Sequence, residues 1–181
     1  NAVPDWATVF DYYRTNGTEI IYGNLPTMSQ LNLGRNVGFE SGPVTPVQDW
    51  TGSPTGASAA TIALSTTQVR PGSGTYSLRV ASRADWWAGA AQYIDGYVKP
   101  GQQYNVEAWV YLTGLLPDEL YFTIYTKGTG NGSANTNGGG TTLVPAGIWT
   151  RLSGTVTAQS WSGSLEYAFV KIAGASGLSV Q

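Results

Sequence analysis

Residues 103–112 alternate without a break. Tyr104, Val106, Ala108, Val110 and Leu112 share one parity, and Asn105, Glu107, Trp109 and Tyr111 the other. Side chains of a strand point to opposite faces in turn, so this run is a strand with one apolar face. Two further runs repeat the pattern. In 119–127, Leu120, Phe122 and Ile124 oppose Tyr121, Thr123, Tyr125 and Lys127; in 164–172, Ala168, Val170 and Ile172 oppose Leu165, Tyr167, Phe169 and Lys171. Shorter candidate strands lie at 31–34, 37–41, 60–65, 76–82, 90–98, 141–144 and 149–158. Turn signals separate the runs: Gly42-Pro43, Ser53-Pro54, Pro71-Gly72-Ser73-Gly74, Pro100-Gly101 and Leu116-Pro117-Asp118. Many short strands at this spacing imply an all-β fold, a two-sheet antiparallel β-sandwich. The aliphatic sets belong inside. The second sets then give one sheet an outer face of Trp, Tyr and Phe, which suits a ligand cleft or an interface better than plain solvent. Residues 128–140 are almost all Gly, Asn, Ser and Thr, with nothing to bury, and read as a flexible loop.

Residues 1–30 differ. Asp5 is a good helix cap, Trp6, Val9, Phe10 and Tyr13 follow at helical spacing, and Asn16-Gly17 closes the turn. This predicts one short N-terminal helix over about 6–15 and a strand from Thr18 to Tyr22. The chain divides into a helix–strand segment, 1–30, and a sandwich domain, 31–181. The first part is too short to fold alone. It is the tail of an upstream domain or an extension that docks, and the whole reads as part of a larger multidomain protein.

The chain has 181 residues with no cysteine and no histidine. Disulfides, thiol catalysis, serine–histidine triads and histidine metal sites are therefore excluded. Only 11% of residues are charged, with a net charge of −2. No basic patch suits nucleic acid, and no apolar run suits membrane insertion. Glycosidase chemistry needs two carboxyls about 5–10 Å apart. Glu107 and Glu166 fall on opposite strand faces by alternation, and Asp85 has no partner in sequence, so an enzyme is not expected. Sparse charge, absent cysteine and abundant Gly, Ser and Thr fit a secreted bacterial β-protein, extracellular or on the cell surface.

Arg83-Ala-Asp-Trp-Trp-Ala-Gly89 sets two tryptophans side by side. Adjacent side chains diverge, so both do not easily face one core, and one becomes a candidate exposed platform. Asn36-Val-Gly-Phe-Glu40, Trp50, Gly74-Thr-Tyr-Ser-Leu-Arg-Val80, Arg83 with Trp87-Ala-Gly89, Pro100-Gly-Gln-Gln-Tyr104 running into Asn-Val-Glu-Ala-Trp-Val110, and Trp149-Thr-Arg-Leu-Ser-Gly154 follow in order. Together they resemble carbohydrate-binding modules of the family 4/9/22 type.

The resemblance implies a jelly roll that binds a polysaccharide, a β-glycan such as xylan or β-glucan, without catalysis. It implies that Trp87 stacks on sugar, that Arg83 belongs to the same segment, and that Tyr125 lies on a neighbouring strand. It matches Phe169 and Lys171 to a late aromatic and glutamate. There Lys171 replaces a hydroxyl acceptor by a cation, which would favour an acidic glycan or no glycan. It also implies a structural Ca2+ near Glu40, the one metal ligand the sequence names. The aromatic face adds Trp86, Trp109, Tyr111 and Tyr121 as candidates. Gln92, Asn105, Glu107 and Arg83 are candidates for hydroxyls at a sugar rim. The alternative reading is a structural or adhesion module of a larger surface protein, without glycan affinity.

Overall fold

The computed structural model describes residues 39–40, 46–52, 60–83, 85–130 and 132–174, all within one compact unit, Leu33–Gln181. The helix expected at 6–15 and the strands expected at 18–22 and 31–34 lie outside the described residues. Of 37–41, Phe39 and Glu40 are described, and neither is in a strand.

The described residues form nine strands and no helix: β1 Thr51–Gly52, β2 Thr61–Ser65, β3 Ser77–Ala81, β4 Ala90–Tyr93, β5 Gln103–Val110, β6 Asp118–Gly128, β7 Ser133–Val144, β8 Thr150–Thr157 and β9 Leu165–Gly174. They pair as a five-stranded sheet ordered β1-β4-β9-β6-β7, a hairpin β2-β3, and a pair β5-β8. Every strand pairing is antiparallel. Such sheets bury one face and leave the other free, and the alternation in sequence records that division.

The core forms where the inner face of the large sheet meets that of β5-β8. Leu120, Phe122, Ile124 and Ala168 from one side pack with Leu152 and Val156 from the other. Tyr104, Val106, Ala108, Val110 and Leu112 close over them, as the β5 alternation requires. Register carries the parity across strands. Ile124 pairs with Val170 and Tyr125 with Phe169, so the two sheet faces stay distinct.

Three expectations are corrected. First, 128–140 is largely strand: β7 pairs with β6 from Ser133↔Lys127 to Val144↔Asp118. Main-chain hydrogen bonds hold the Gly- and Asn-rich part of it to β6, and Val144 at its end enters the core. Its glycines have a packing reason at Gly138, where a Cβ would lie 2.5 Å from the Thr155 carbonyl oxygen and 2.8 Å from Val156 Cα. The two sheets approach too closely there for a side chain. Second, Leu165 packs against the core rather than beside Tyr167. The register shifts between Lys127 and Gly128, and such an irregularity reverses parity. Third, the strand expected over 90–98 stops at Tyr93. Tyr97 and Val98 N–H both donate to the Ile94 carbonyl, which turns the chain. Asp95 meanwhile accepts the Ala168 N–H at 3.0 Å.

Candidate functional site

The face of the large sheet turned away from the core carries four rings from three adjacent strands. Tyr125 of β6 and Phe169 of β9 are directly paired, their centroids 4.8 Å apart and their planes 7° from parallel. Tyr167 lies two residues along β9, stacked on Tyr125 at 5.7 Å and 5°. Tyr93 of β4 stands edge-on to Phe169 at 6.1 Å. Cross-strand pairing of aromatics on one parity produces this array directly. Phe169 is completely buried, whereas Tyr93 is 39% exposed. Phe169 therefore supports the array, and the tyrosines around it present its surface. Burial, with a hydrogen bond to Tyr125, raises the Tyr167 pKa. Burial raises that of Tyr121, which shares this parity at the other end of β6.

One residue pair along the strands, Lys171 is flanked by Ala91 of β4 and Thr123 of β6. Its ammonium donates to the Trp87 carbonyl at 3.1 Å. It lies 5.0 Å from the centre of the Trp87 ring and 5.9 Å from that of Phe169. Only 7% of Lys171 is exposed, and burial lowers its pKa. Trp87 thus borders the tyrosine array with Lys171 between them.

The segment that delivers Trp87 is built by Arg83. Ser82, at φ 51°, turns the chain out of β3. The Arg83 Nε donates to the Ala88 carbonyl at 2.7 Å, and a terminal nitrogen donates to the Trp86 carbonyl. The other terminal nitrogen lies 4.0 Å from Asp118. Burial lowers the Arg83 pKa, and Asp118 partly offsets that. Gly174 N–H also donates to the Trp86 carbonyl at 2.9 Å. Gly89 crosses β9 so closely that a Cβ would lie 2.1 Å from the Ile172 carbonyl oxygen. The Arg-x-x-x-Trp-x-Gly spacing is therefore a clamp: the arginine folds the segment and the glycine admits it. Trp86, 38% exposed, projects from the same segment.

The structure divides the residues that sequence grouped together. Trp87, Trp86, Tyr121, Tyr125, Phe169 and Lys171 belong to the large-sheet face or its border. Arg83 lies beneath that border with its donors engaged, and does not stand at a rim. Gln92 pairs with Val170, which places it on the core side. It is 1% exposed and donates to the Asp49 carbonyl at 3.3 Å. Glu107 and Trp109 belong to the other sheet, and Tyr111 follows directly after β5. Glu107 pairs with Arg151 at 2.8 Å, and that hydrogen bond lowers its pKa. Arg70 stacks over Trp109 at 3.9 Å, and Tyr111 packs on Trp149. Asn105 also lies there, accepting from Thr155. Alternation gives parity within a strand but not which sheet the strand joins, and the grouping failed for that reason. Tyr93 and Tyr167 were the residues missed as site members. The Tyr167/Phe169 parity was the signal for one, and Tyr93 needed the β4–β9 register.

Glu40 accepts the Thr75 and Tyr76 N–H groups on a single carboxylate oxygen, at 2.7 and 2.9 Å. Gly74, at φ 121°, leaves the space that oxygen occupies. Phe39 packs on Trp50. The Phe-Glu motif thus ties two distant segments together. Calcium takes six to eight oxygens, mostly carboxylate and carbonyl. Among the described residues no three Asp, Glu, His or Cys converge to hold a metal ion. Glu166 pairs with Lys127 at 2.8 Å on the large sheet, and Glu107 lies on the other sheet. No helix among the described residues is long and apolar enough to cross a membrane.

A β-sandwich with a ring-lined sheet face, bordered by a clamped tryptophan, defines a ligand-holding module. The family model described as "Carbohydrate binding domain" matches residues 31–171, and the chain belongs to that family. Among curated proteins, it is similar to endo-1,4-beta-xylanase A of Thermotoga neapolitana, 29% identical over 134 residues, covering 74% of this chain and 12% of the relative. Endo-1,4-beta-xylanase A of Thermotoga maritima is 34% identical over 85 residues, covering 47% and 8% respectively. The chain thus spans about a tenth of the length of these relatives. Among solved structures, the CBM22-1 xylan-binding domain from Paenibacillus barcinonensis matches with a TM-score of 0.59 and 18% identity, over 75% of this chain and 80% of that one. The C-terminal family 22 carbohydrate binding module of Clostridium thermocellum matches with a TM-score of 0.57 and 19% identity, over 78% and 87%. The β-sandwich fold is shared.

Proposed function

We propose that this module holds a xylan-type β-glycan on the outer face of its five-stranded sheet, without catalysis, as the binding part of a larger secreted protein. The observation that carries the reading is the ring array of Tyr93, Tyr125 and Tyr167 around Phe169, bordered by Trp87. The named similarities to xylanases and xylan-binding domains support the substrate class. A pyranose offers a C–H face and a rim of hydroxyls. One aromatic ring covers roughly 100 Å² of that face, on the order of 2–3 kcal/mol. Hydroxyl bonds add about 1 kcal/mol each. Binding is then micromolar to millimolar, with specificity set by polar geometry.

The test is affinity electrophoresis through xylan, barley β-glucan, laminarin, alginate and pectin. Retardation in xylan is expected, and Trp87→Ala should weaken it by about 30–150-fold, the loss of one stacked ring. Absence of retardation in every gel would refute glycan binding and leave the structural or adhesion role.

A further inference from the structure

Lys171 is an odd residue to find buried between aromatic rings. A buried ammonium is costly unless a carboxylate neutralises it. Three other bases among the described residues are paired with acids: Lys127 with Glu166, Arg151 with Glu107 and Arg83 with Asp118. Lys171 has the Trp87 carbonyl, the Trp87 ring and the Phe169 ring. Two of these three contacts are to one residue. An ammonium near a ring is attracted to the negative π face, more so when desolvated. The same ammonium binds the main chain of that tryptophan through a charge-assisted hydrogen bond. Backbone and side chain of Trp87 are therefore fixed from a single point on β9.

The placement is favourable for that task. Ala91 and Thr123, the register partners of Lys171, are small. Arg83 and Gly174 secure the Trp86 carbonyl, one residue earlier. Lys171 adds the next carbonyl and the ring itself. We infer that Lys171 is a positioning residue, which orients the Trp87 ring toward the glycan and sets affinity through that ring rather than by contacting sugar. This rests on the glycan-binding reading for its effect on affinity, but not for its effect on Trp87.

Two readouts test it, one of them without glycan. The Trp87 indole N–H resonance, assigned by its loss in Trp87→Phe, is compared between wild type and Lys171→Met. It should shift and broaden in the variant, and Lys171→Arg should restore much of the wild-type position. Binding is then measured to glucuronoxylan and to the same polymer with its carboxyl groups reduced. Lys171→Met should weaken both by about tenfold, the scale of one charge-assisted hydrogen bond. Its thermal midpoint should stay at or above that of wild type, so the loss is not one of folding. An unchanged indole resonance overturns the inference. A loss confined to glucuronoxylan also overturns it, and makes Lys171 a contact for a uronate carboxylate. If the indole responds while wild type binds neither polymer, the positioning role stands and the glycan-binding reading fails.

Discussion

Replacing Arg83 by methionine keeps most of the side-chain volume and removes its donors. Two charged hydrogen bonds go, to the Ala88 carbonyl at 2.7 Å and to the Trp86 carbonyl. Each such bond contributes about 1.5–3 kcal/mol. The Asp118 carboxylate also loses its neighbour. The Asp118 side chain is 15% exposed, and its Oδ1 has no hydrogen-bond partner among the described residues. Deleting one partner of a buried ion pair destabilises by about 3–5 kcal/mol. The contributions overlap, because methionine retains the stem packing and the Gly174 bond still holds Trp86. A total loss of about 3–5 kcal/mol follows. Urea denaturation with linear extrapolation measures it, and an unchanged slope would confirm that the native state alone is affected. Adding Asp118→Asn should recover part of the loss, since no charge is then stranded. Folded Arg83→Met should also bind glycan more weakly, because the Trp87 segment is no longer fixed. An unchanged denaturation midpoint with lost affinity would refute the reasoning. Arg83 would then be a ligand contact, as the sequence alone allowed.

Gly138→Val should destabilise the sandwich by about 3 kcal/mol or more, because its side chain meets main-chain atoms of β8 that cannot rotate away; thermal denaturation reads this, and a neutral result would mean that the sheets separate easily. Trp109→Ala should leave glycan affinity unchanged in affinity electrophoresis, since Trp109 lies on the other sheet under Arg70; a large loss would place the ligand on that sheet instead. Burial lowers the Lys171 pKa below the ordinary lysine value of 10.5. Between the folded pKa and 10.5 the unfolded chain binds more protons, so stability linked to this group rises with pH. The buried charge is a full burden below that window, so Lys171→Met should be at least as stable as wild type near neutrality. Its advantage should shrink as pH rises through the window, and paired denaturation series that diverge instead would contradict the sign.

The alternation of β5, β6 and β9 was enough to find the core, because a period of two is enforced by the strand itself. It was not enough to assemble the site. Trp109 and Tyr125 read alike in sequence, each an aromatic opposite an aliphatic set. Only pairing separates them: β5 joins β8 and β6 joins β9. Gln92 failed for the same reason, since its face follows from its partner Val170. The Gly-rich stretch before Val144 failed differently. Its sequence has little to bury, and its strand character comes from the exposed edge of β6 and from close approach to β8. Composition reads side chains, whereas the Gly-rich part of β7 is paired through its main chain, with Val144 in the core only at its end.

The segment Arg83–Gly89 was legible as a motif but not as a mechanism. Its arginine looked like a ligand donor, because charged groups near aromatics often are. The structure spends that arginine on carbonyls inside the segment. Lys171 then spends its ammonium on the next carbonyl and ring. Binding to a sugar face gains little from any single contact, so a platform that is already ordered loses less entropy on binding. Two cations behind one tryptophan, Lys171 buried and Arg83 half-buried, fit that requirement. They also explain how a lysine can stand in the middle of an aromatic face with no acid paired to it among the described residues: its charge is directed at the carbonyl and ring of Trp87.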